Sequence, residues 1–392
     1  MISVKQAIRL LNRNLVKSET TDINLIDSFG CILSKNVLSP VSHPLFNCSA
    51  VDGYAIKLDS KKIKNEYRVV GEIKAGDNCN FSITQNEAIR IFTGAPVPDS
   101  ANAVVMQEFI FRKKEIIIIQ NHTIIEGQNI RIKGDQIKKG EIAVKKGILI
   151  NTAVIGFLAS IGINKINVYK KPSTTIIVTG NEFAKNSNEL KKGKIFESNG
   201  IMLLSSLKAK GFQCEHKICE DDKEKLKSTI TKSLAKSDLL LITGGVSVGD
   251  YDFTRPVLEK LGFKIIFHNV NQKPGKPLLF AKKKNKVVFG LPGNPRSVFV
   301  CFFEYVLPYI YAMQGHKGLQ KKMLLPVNKP YKKQDNKTHF LAGKIINDHV
   351  EILKSQGSHM LQSLSEANCL IVVPENISEI KEGDLLEVHP VF

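Results

Sequence analysis

Short apolar runs, mostly β-branched or aromatic, alternate with polar turns and amphipathic stretches, and from about residue 174 to 313 this alternation is regular. Thr174 to Val178 reads as a strand, Asn199 to Lys210 as a helix closed by Gly211, Lys223 to Lys236 as a second helix, and Leu239 to Ile242 as the next strand. Phe263 to Phe267 and Val287 to Phe289 read as further buried strands, and Arg296 to about Ala312 as a helix. Asp221 and Asp222 suit the positive end of the second helix; Asn294 followed by Pro295 suits the start of the last one. Strands and helices of these lengths in alternation predict an α/β domain, with a mostly parallel sheet and helices on both faces.

The flanks follow another pattern. Residues 41 to 145 carry strand-like segments such as Ala88 to Phe92, Ala103 to Met106 and Glu115 to Gln120 between glycine, proline and asparagine turns, which predicts a β-rich insertion. Asn151 or Thr152 opens a short helix, and Lys165 to Tyr169 reads as a strand. After residue 316, Met323 to Val327, His339 to Ile346, His349 to Leu353 and Cys369 to Val373 predict a small terminal β domain.

With 392 residues the chain exceeds the size of one hydrophobic core, so several domains are expected. The formal net charge of +19 raises the question of a nucleic-acid partner. The lysines are scattered in small groups such as Lys61-Lys62, Lys138-Lys139, Lys191-Lys192 and Lys282-Lys283-Lys284, and there is no tryptophan to stack bases. A solvated surface and anionic small-molecule ligands explain the charge better, so no nucleic acid is expected. The 7 cysteines are odd in number and contain no Cys-x-x-Cys pair, which points to reduced thiols and a cytoplasmic protein. No apolar run reaches membrane-spanning length, since Glu304 and Pro308 interrupt even Ser297 to Met313.

Three glycine-bearing turns directly follow the apolar runs between residues 238 and 297: Thr243 to Asp250, Lys273-Pro274-Gly275-Lys276-Pro277, and Pro292-Gly293-Asn294-Pro295. Strand-end turns in open α/β sheets are where anionic ligands bind, so the three are expected at one sheet edge. Gly244, Gly245, Ser247 and Gly249 give backbone N–H groups the freedom to converge on a phosphate or a pterin-like ring; a tight connection would use the same residues. Asp252 adds a carboxylate at that rim, able to hold magnesium or to cap the next segment. Lys273 and Lys276, held by Pro274 and Pro277, present either two fixed cations or two surface lysines. The helix after Asn294 offers free N–H groups to an anion or simply begins there. Farther upstream, Asp52 stands beside Gly53 in Ser49 to Ala55, and Gly127 to Asp135 joins Arg131, Lys133 and Asp135 in a glycine-bounded loop. An ordinary turn and a solvated hairpin account for these as well.

In sequence order, Ser49 to Ala55, Thr93 to Pro98, Gly127 to Arg131, Thr179-Gly180-Asn181-Glu182, Ser198-Asn199-Gly200, Thr243 to Gly249, Lys273 to Pro277, Leu291 to Pro295 and Gln356-Gly357-Ser358-His359 resemble the molybdopterin molybdenumtransferase family, MoeA and the E domain of gephyrin, along essentially the whole chain. The resemblance implies an elongated homodimer whose subunits contain an N-terminal linking and dimerisation domain (1–40 plus 140–170), a β-rich inserted domain (41–139), a molybdopterin-binding α/β domain (171–316) and a C-terminal β-barrel domain (317–392). It implies insertion of molybdate into adenylylated molybdopterin, with magnesium-dependent release of AMP, at a site between the α/β domain of one subunit and the N-terminal region of the other. The enzyme that adenylylates molybdopterin and the acceptor molybdoenzymes are the implied protein partners, with no membrane.

Carried over position by position, the resemblance gives functional roles to Asp52, Glu182, Asp221, Asp252, Lys273, Lys276 and Ser358, with Glu182, Asp221 and Asp252 as magnesium ligands. Thr179, Gly180, Ser198, Asn199, Gly244, Gly245, Ser247, Gly249, Pro292, Gly293 and Asn294 would bind the pterin and phosphates. The chain departs from the family pattern at Gln136, where an aspartate is expected, at Asn181, where aspartate is common, at Asn269, where a lysine is expected, and at Ala342, where an arginine is expected. Lys344 is the nearest replacement for that arginine. These departures define the alternative of a catalytically weak molybdopterin-binding or scaffold paralogue.

Overall fold

The computed structural model describes residues 1–59, 65–120, 123–184, 186–246, 252–316 and 322–391. At its centre is a six-stranded sheet in the order Cys214–Cys219, Thr174–Thr179, Leu239–Thr243, Lys286–Leu291, Leu279–Lys283, Lys264–His268. The first four strands pair in parallel, and only Leu279–Lys283 runs against the rest. The mostly parallel sheet expected from the alternation is therefore present. The period-2 geometry of a strand sends neighbouring side chains to opposite faces. Thus Ile176, Val178, Leu239, Leu241 and Phe289 join one apolar cluster with the helix Asn199–Ala209, while Ile177, Leu240, Ile242 and Val288 join another with the helices Lys223–Leu234 and Thr254–Lys260. Asp222 caps the helix Lys223–Leu234, accepting from the Lys225 N–H at 2.8 Å.

Two strands of this sheet were hidden in the sequence. Cys214–Cys219 is an edge strand whose burial is irregular, and Leu279–Lys283 ends in the lysines taken for a solvated group. Lys282 Nζ donates to the Asn14 carbonyl at 3.3 Å and Lys283 Nζ to the Leu261 carbonyl at 2.6 Å, so both ammonium groups close backbone ends instead of facing only water. The helix read from Arg296 to Ala312 is also subdivided: α-helix at Pro295–Cys301, a π segment at Phe302–Val306 and α-helix again at Leu307–Met313. Pro308 cannot donate back to the Glu304 carbonyl, which accounts for a wider turn just before it.

The first helix, Val4–Arg13, packs on the α/β layer through Ala7 and Leu11. Strand Thr20–Asn24 pairs with Lys165–Tyr169, and the helix Thr152–Ser160 is capped by Asn151. The β-rich insertion is a six-stranded sheet in the order Ala103–Met106, Gly53–Ile56, Glu87–Ile91, Glu66–Ile73, Ile116–Ile119, Ile110–Lys113, with an apolar cluster on each face. In the C-terminal region Thr338–Ile346, Cys369–Val373, Leu385–Pro390 and Met323–Pro326 pair in succession. His349–Ile352 pairs with Thr338–Ile346, and the bridge between Val327 and Val350 brings it round to the other end of the series, which closes a small barrel around Leu341, Val350, Ile371 and Val388.

A buried ionic chain joins this barrel to the α/β domain. His389, on the last barrel strand, shares one ring nitrogen with both oxygens of Glu304 in the π segment, at 3.0 and 2.9 Å, and meets Glu387 through the other at 2.7 Å. Burial opposes its charge, yet the two carboxylates hold its pKa above the ordinary histidine value. The stabilisation is present below the unfolded value and is lost as pH rises through the raised folded one. The thermal midpoint of the wild-type protein should therefore fall across that alkaline-going window, whereas that of His389→Gln should be flat there; parallel curves for the two would refute the assignment.

Candidate active site

The parallel strands deliver the predicted turns to a common sheet edge. Thr179, Thr243 and Leu291 end neighbouring strands, and the segment after His268 leaves on the same side. The opposite wall comes from the barrel: Gln272–Lys273 leaves the α/β domain and pairs in parallel with Thr338–His339. Between the walls lies a cleft of about 1160 Å³. That exceeds the common small-ligand range and suits a ligand with a heterocycle and a phosphate chain.

Thr179, Ser198, Asn199, Gly244, Pro292, Gly293 and Asn294 line the cleft, as do Glu182, Lys273, Lys276 and Ser358. Gly180 lies at the foot of the same turn, where its φ of 157° lets Glu182 fold over it. Gly244 has φ 87°, and a Cβ there would stand 2.5 Å from the Thr179 carbonyl oxygen, so the close approach of the two strand ends requires glycine. Gly245, at φ 58°, continues the turn. Ser247, Gly249 and Asp250 lie outside the described residues.

Asn199 sits at the junction of two of these turns. Its amide donates to Thr243 Oγ1 at 3.2 Å and to the Gly293 carbonyl at 2.7 Å, while Thr243 Oγ1 donates to the Pro292 carbonyl at 2.8 Å. The Asn199 side-chain oxygen is buried with no hydrogen-bond partner. A buried acceptor of this kind is costly unless a ligand donor meets it.

Two expectations about the third turn need correction. Asn294 occupies the N-cap position but makes no capping bond; its amide donates instead to Ser358 Oγ at 3.2 Å. The helix start is not wholly free for an anion either, because Pro295 has no N–H and the Arg296 N–H donates to the Ser358 carbonyl at 3.3 Å. Both contacts fasten the barrel loop carrying Ser358 to the rim of the α/β domain.

The acids divide into two groups. Asp221 stands beside the cleft without lining it, its N–H donating to Asn181 Oδ1 at 3.2 Å. Burial, and then repulsion from Glu182 and Asp252, pushes its pKa up. Asp221 thus senses both other carboxylates, although no group of three His, Cys, Asp or Glu side chains among the described residues stands close enough to hold a metal ion by itself. Asp52 is elsewhere: it starts the strand Gly53–Ile56 of the insertion, accepts from Thr93 N at 2.8 Å and Thr93 Oγ1 at 2.7 Å, and does not line the cleft. Those two hydrogen bonds hold its carboxyl below the usual range. The upstream motifs nevertheless meet one another, because Cys48–Ser49 pairs with Ile130–Arg131 and Gly94 N donates to the Ser49 carbonyl at 2.8 Å. They form a second group of motifs on the insertion, in which Asp52 is half-buried and Arg131 and Lys133 are exposed.

The departures from the family pattern also find their places. Asn269, at φ 105°, uses its carbonyl to accept from the Ile2 N–H at 3.3 Å and does not line the cleft. Ala342 is fully buried, and its backbone N–H and carbonyl are both taken by the Gln356 side chain at 3.0 Å. Lys344 is exposed on the barrel strand, paired across from Glu351, and is absent from the cleft lining, so it is no substitute for a cation at 342.

Sequence reading quoted Gln356 to His359 as a motif but gave most of the barrel wall, Ser358 apart, no role. Tyr331, Lys337, His339, Gln356 and His359 face the cleft there, and Phe196 faces it from the other side. It also missed Arg296, which is 1% exposed and donates to the Ser355 carbonyl at 2.9 Å, to Ser363 Oγ at 3.1 Å and to Gln356 Oε1. Burial lowers its pKa to about 10. The one available signal was an arginine at the second position of a helix that is otherwise apolar except for Ser297.

Comparison with known proteins covers the chain in three pieces. The description "MoeA N-terminal region (domain I and II)" matches residues 2–162, "Probable molybdopterin binding domain" matches residues 175–312, and "MoeA C-terminal region (domain IV)" matches residues 325–391. The chain is 33% identical over 398 residues to a molybdopterin molybdenumtransferase of Staphylococcus epidermidis, across 99% of this chain and 95% of the relative. It is 30% identical over 403 residues to a molybdopterin molybdenumtransferase of Haemophilus influenzae, across 100% and 98%. The solved molybdopterin biosynthesis MoeA protein of Pyrococcus horikoshii is similar with a TM-score of 0.87 at 28% identity over 100% of both chains.

Proposed function

The chain belongs to the molybdopterin molybdenumtransferase family and is a transferase of molybdenum cofactor biosynthesis, and from that premise we propose that its cleft inserts molybdate into adenylylated molybdopterin and releases AMP in a magnesium-dependent step. The observation that carries the reading is the cleft itself, where the unsatisfied Asn199 oxygen lies among strand-end turns and Lys273 and Lys276 line the same space. A pterin can give an N–H to that oxygen. Lys273 and Lys276 offset the charge of the oxyanion and of the phosphates as charge moves toward the leaving AMP. Thr179, Gly180, Gly244, Gly245 and the Pro292 to Asn294 turn hold the heterocycle and phosphates close to backbone, and Ser358 supplies a hydroxyl from the barrel side.

Glu182, Asp221 and Asp252 would hold magnesium, and the burial and added repulsion from Glu182 and Asp252 that raise Asp221 are the feature that fits a cation there. An ion held by these residues would supply positive charge against the phosphates and the leaving group. The repulsion acts above the raised value and is relieved as pH falls through it. In metal-free buffer Asp221→Asn should therefore raise the thermal midpoint. Magnesium should raise the midpoint of the wild type more than that of the variant; an equal response in both would remove Asp221 from the magnesium site.

Asp52 and the motifs beside it complete the site from a partner subunit in a homodimer, a reading supported by their standing away from the cleft of their own chain. The domain boundaries 1–40 plus 140–170, 41–139, 171–316 and 317–392 go with that assembly. A second reading, a catalytically weak molybdopterin-binding paralogue, is favoured by Ala342, whose buried methyl leaves no cation at that position. Restoring arginine there would force a long charged side chain into packed space, so an Asn269→Lys change is the cleaner probe. Purified protein given adenylylated molybdopterin, molybdate and magnesium is expected to release AMP in proportion to molybdate. Tight pterin binding with no AMP release at saturating molybdate would favour the second reading.

A further inference from the structure

Three residues on the barrel wall form a hydrogen-bonded chain that none of the roles above uses. Tyr331 Oη lies 2.8 Å from His339 Nδ1, and His339 Nε2 lies 2.8 Å from Asp335 Oδ1. The His339 side chain is only 3% exposed, yet His339 and Tyr331 both border the cleft. Its backbone is paired beside Lys273, the lysine that faces the ligand.

The proton positions follow from the partners. Burial by itself would raise the Asp335 carboxyl, but hydrogen bonds from His339 and the Lys337 N–H, with the charges of His339 and Lys337, hold it below its ordinary value. Asp335 is therefore an acceptor, and the nitrogen facing it, Nε2, carries the hydrogen. Burial, then Asp335, raises Tyr331 despite the opposing charge of Arg296, so the phenol keeps its proton. With His339 neutral, that proton is committed to Nδ1. Burial, and then the charges of Lys273 and Lys333, keep His339 below its ordinary value against the pull of Asp335. Lys333 in turn donates to the carbonyls of Lys337, Pro374 and Glu375, so it stays fixed in place as a source of positive charge.

A dianion resting against Lys273 tips this balance toward the charged form, since it cancels the repulsion that adds to burial in keeping His339 neutral. Once Nδ1 gains a proton it donates to Tyr331 Oη, and the phenol hydrogen is released to turn toward the cleft. We infer that the Asp335–His339–Tyr331 chain is a proton-coupled oxyanion clamp, in which His339 acts as a positioning residue that directs the Tyr331 hydroxyl onto a bound tetrahedral oxyanion or phosphate. This rests on the cleft being the anionic-substrate site.

Sulfate does not titrate near neutrality and serves as the free-oxyanion probe; ADP-ribose, whose pyrophosphate bridge likewise does not titrate there, serves as the nucleotide probe. Calorimetry on the full chain is expected to give about tenfold tighter binding at about pH 5.5 than at about pH 7.5 for the probe that reaches the clamp. A slope with sulfate assigns the clamp to the free oxyanion, and a slope with ADP-ribose alone assigns it to bridging phosphate. His339→Gln should abolish the slope and Tyr331→Phe should reduce it. Ring-nitrogen NMR of the wild type, which needs no variant, should show the Nε2–H form near neutrality and a His339 pKa that rises when the probe is added. Binding with an unchanged slope in His339→Gln, or a His339 pKa indifferent to the probe, overturns the clamp alone. Absence of any binding at all pH values overturns both the clamp and the anion-site reading.

Discussion

Replacing Lys273 with methionine is expected to lower the rate of AMP release roughly a hundred-fold to a thousand-fold while leaving the protein folded. The side chain is exposed in the cleft, and its ammonium forms no ion pair among the described residues, so nothing in the fold depends on the charge. Its backbone is fixed independently. Gln272 is buried, its amide donates to the Pro274 carbonyl at 3.2 Å and the Gly275 carbonyl at 3.0 Å, and Tyr305 donates to its oxygen. A preorganised cation of this sort acts on charge that develops during the reaction, and methionine removes the charge with little change of volume. Steady-state AMP release together with a thermal melt checks the claim; an unchanged rate would remove Lys273 from the reaction, and a collapsed melt would assign it to the fold.

Arg296→Met is expected to act in the opposite proportion from an ordinary buried-arginine loss: a small change in global stability and about a hundred-fold loss of kcat/KM. Holding this guanidinium out of water depresses its pKa to about 10, and against an ordinary value of roughly 12.5 that corresponds to about 3 kcal/mol of desolvation opposing the charge. The three hydrogen bonds to Ser355, Ser363 and Gln356 return roughly 1.5 to 3 kcal/mol each, while the buried Nε, which has no partner, costs about 1 to 3 kcal/mol more. The opposing contributions nearly cancel in the fold. They do not cancel in the loop, because Arg296 ties residues 355 and 356 beside Ser358 and His359, which then lose their placement over the cleft. Hydrogen exchange confined to residues 355–363 should quicken in the variant, with the thermal midpoint shifted by only a few degrees. A large global destabilisation would show that the hydrogen bonds dominate.

Which parts of this were legible in the sequence depends on how local the information was. The strands Thr174–Thr179, Leu239–Thr243 and Lys286–Leu291 lie in the middle of the sheet and are apolar on both faces, so each announces itself as a run. Cys214–Cys219 is an edge strand with Glu215, His216 and Lys217 inside it, and its pattern is invisible without its neighbour. The turns were legible for the same reason as the central strands: Gly244 and Gly275 need φ 87° and 89°, and only a few residue types supply that. The barrel wall was not legible, because Tyr331, His339 and Asp335 meet only when a strand and a loop close on each other. The Asn294 cap was misread for a similar reason: a local rule named its partner, and a residue 64 positions away took it instead.

The central claim is tested most directly by following the metal itself. Purified protein is incubated with adenylylated molybdopterin, magnesium and molybdate, the released pterin is separated, and its molybdenum content is measured beside the AMP formed. Molybdenum and AMP appearing together in equal amounts, both strongly reduced in Lys273→Met, is the predicted result. AMP released without molybdenum in the pterin, or molybdenum inserted equally well by Lys273→Met, would contradict it.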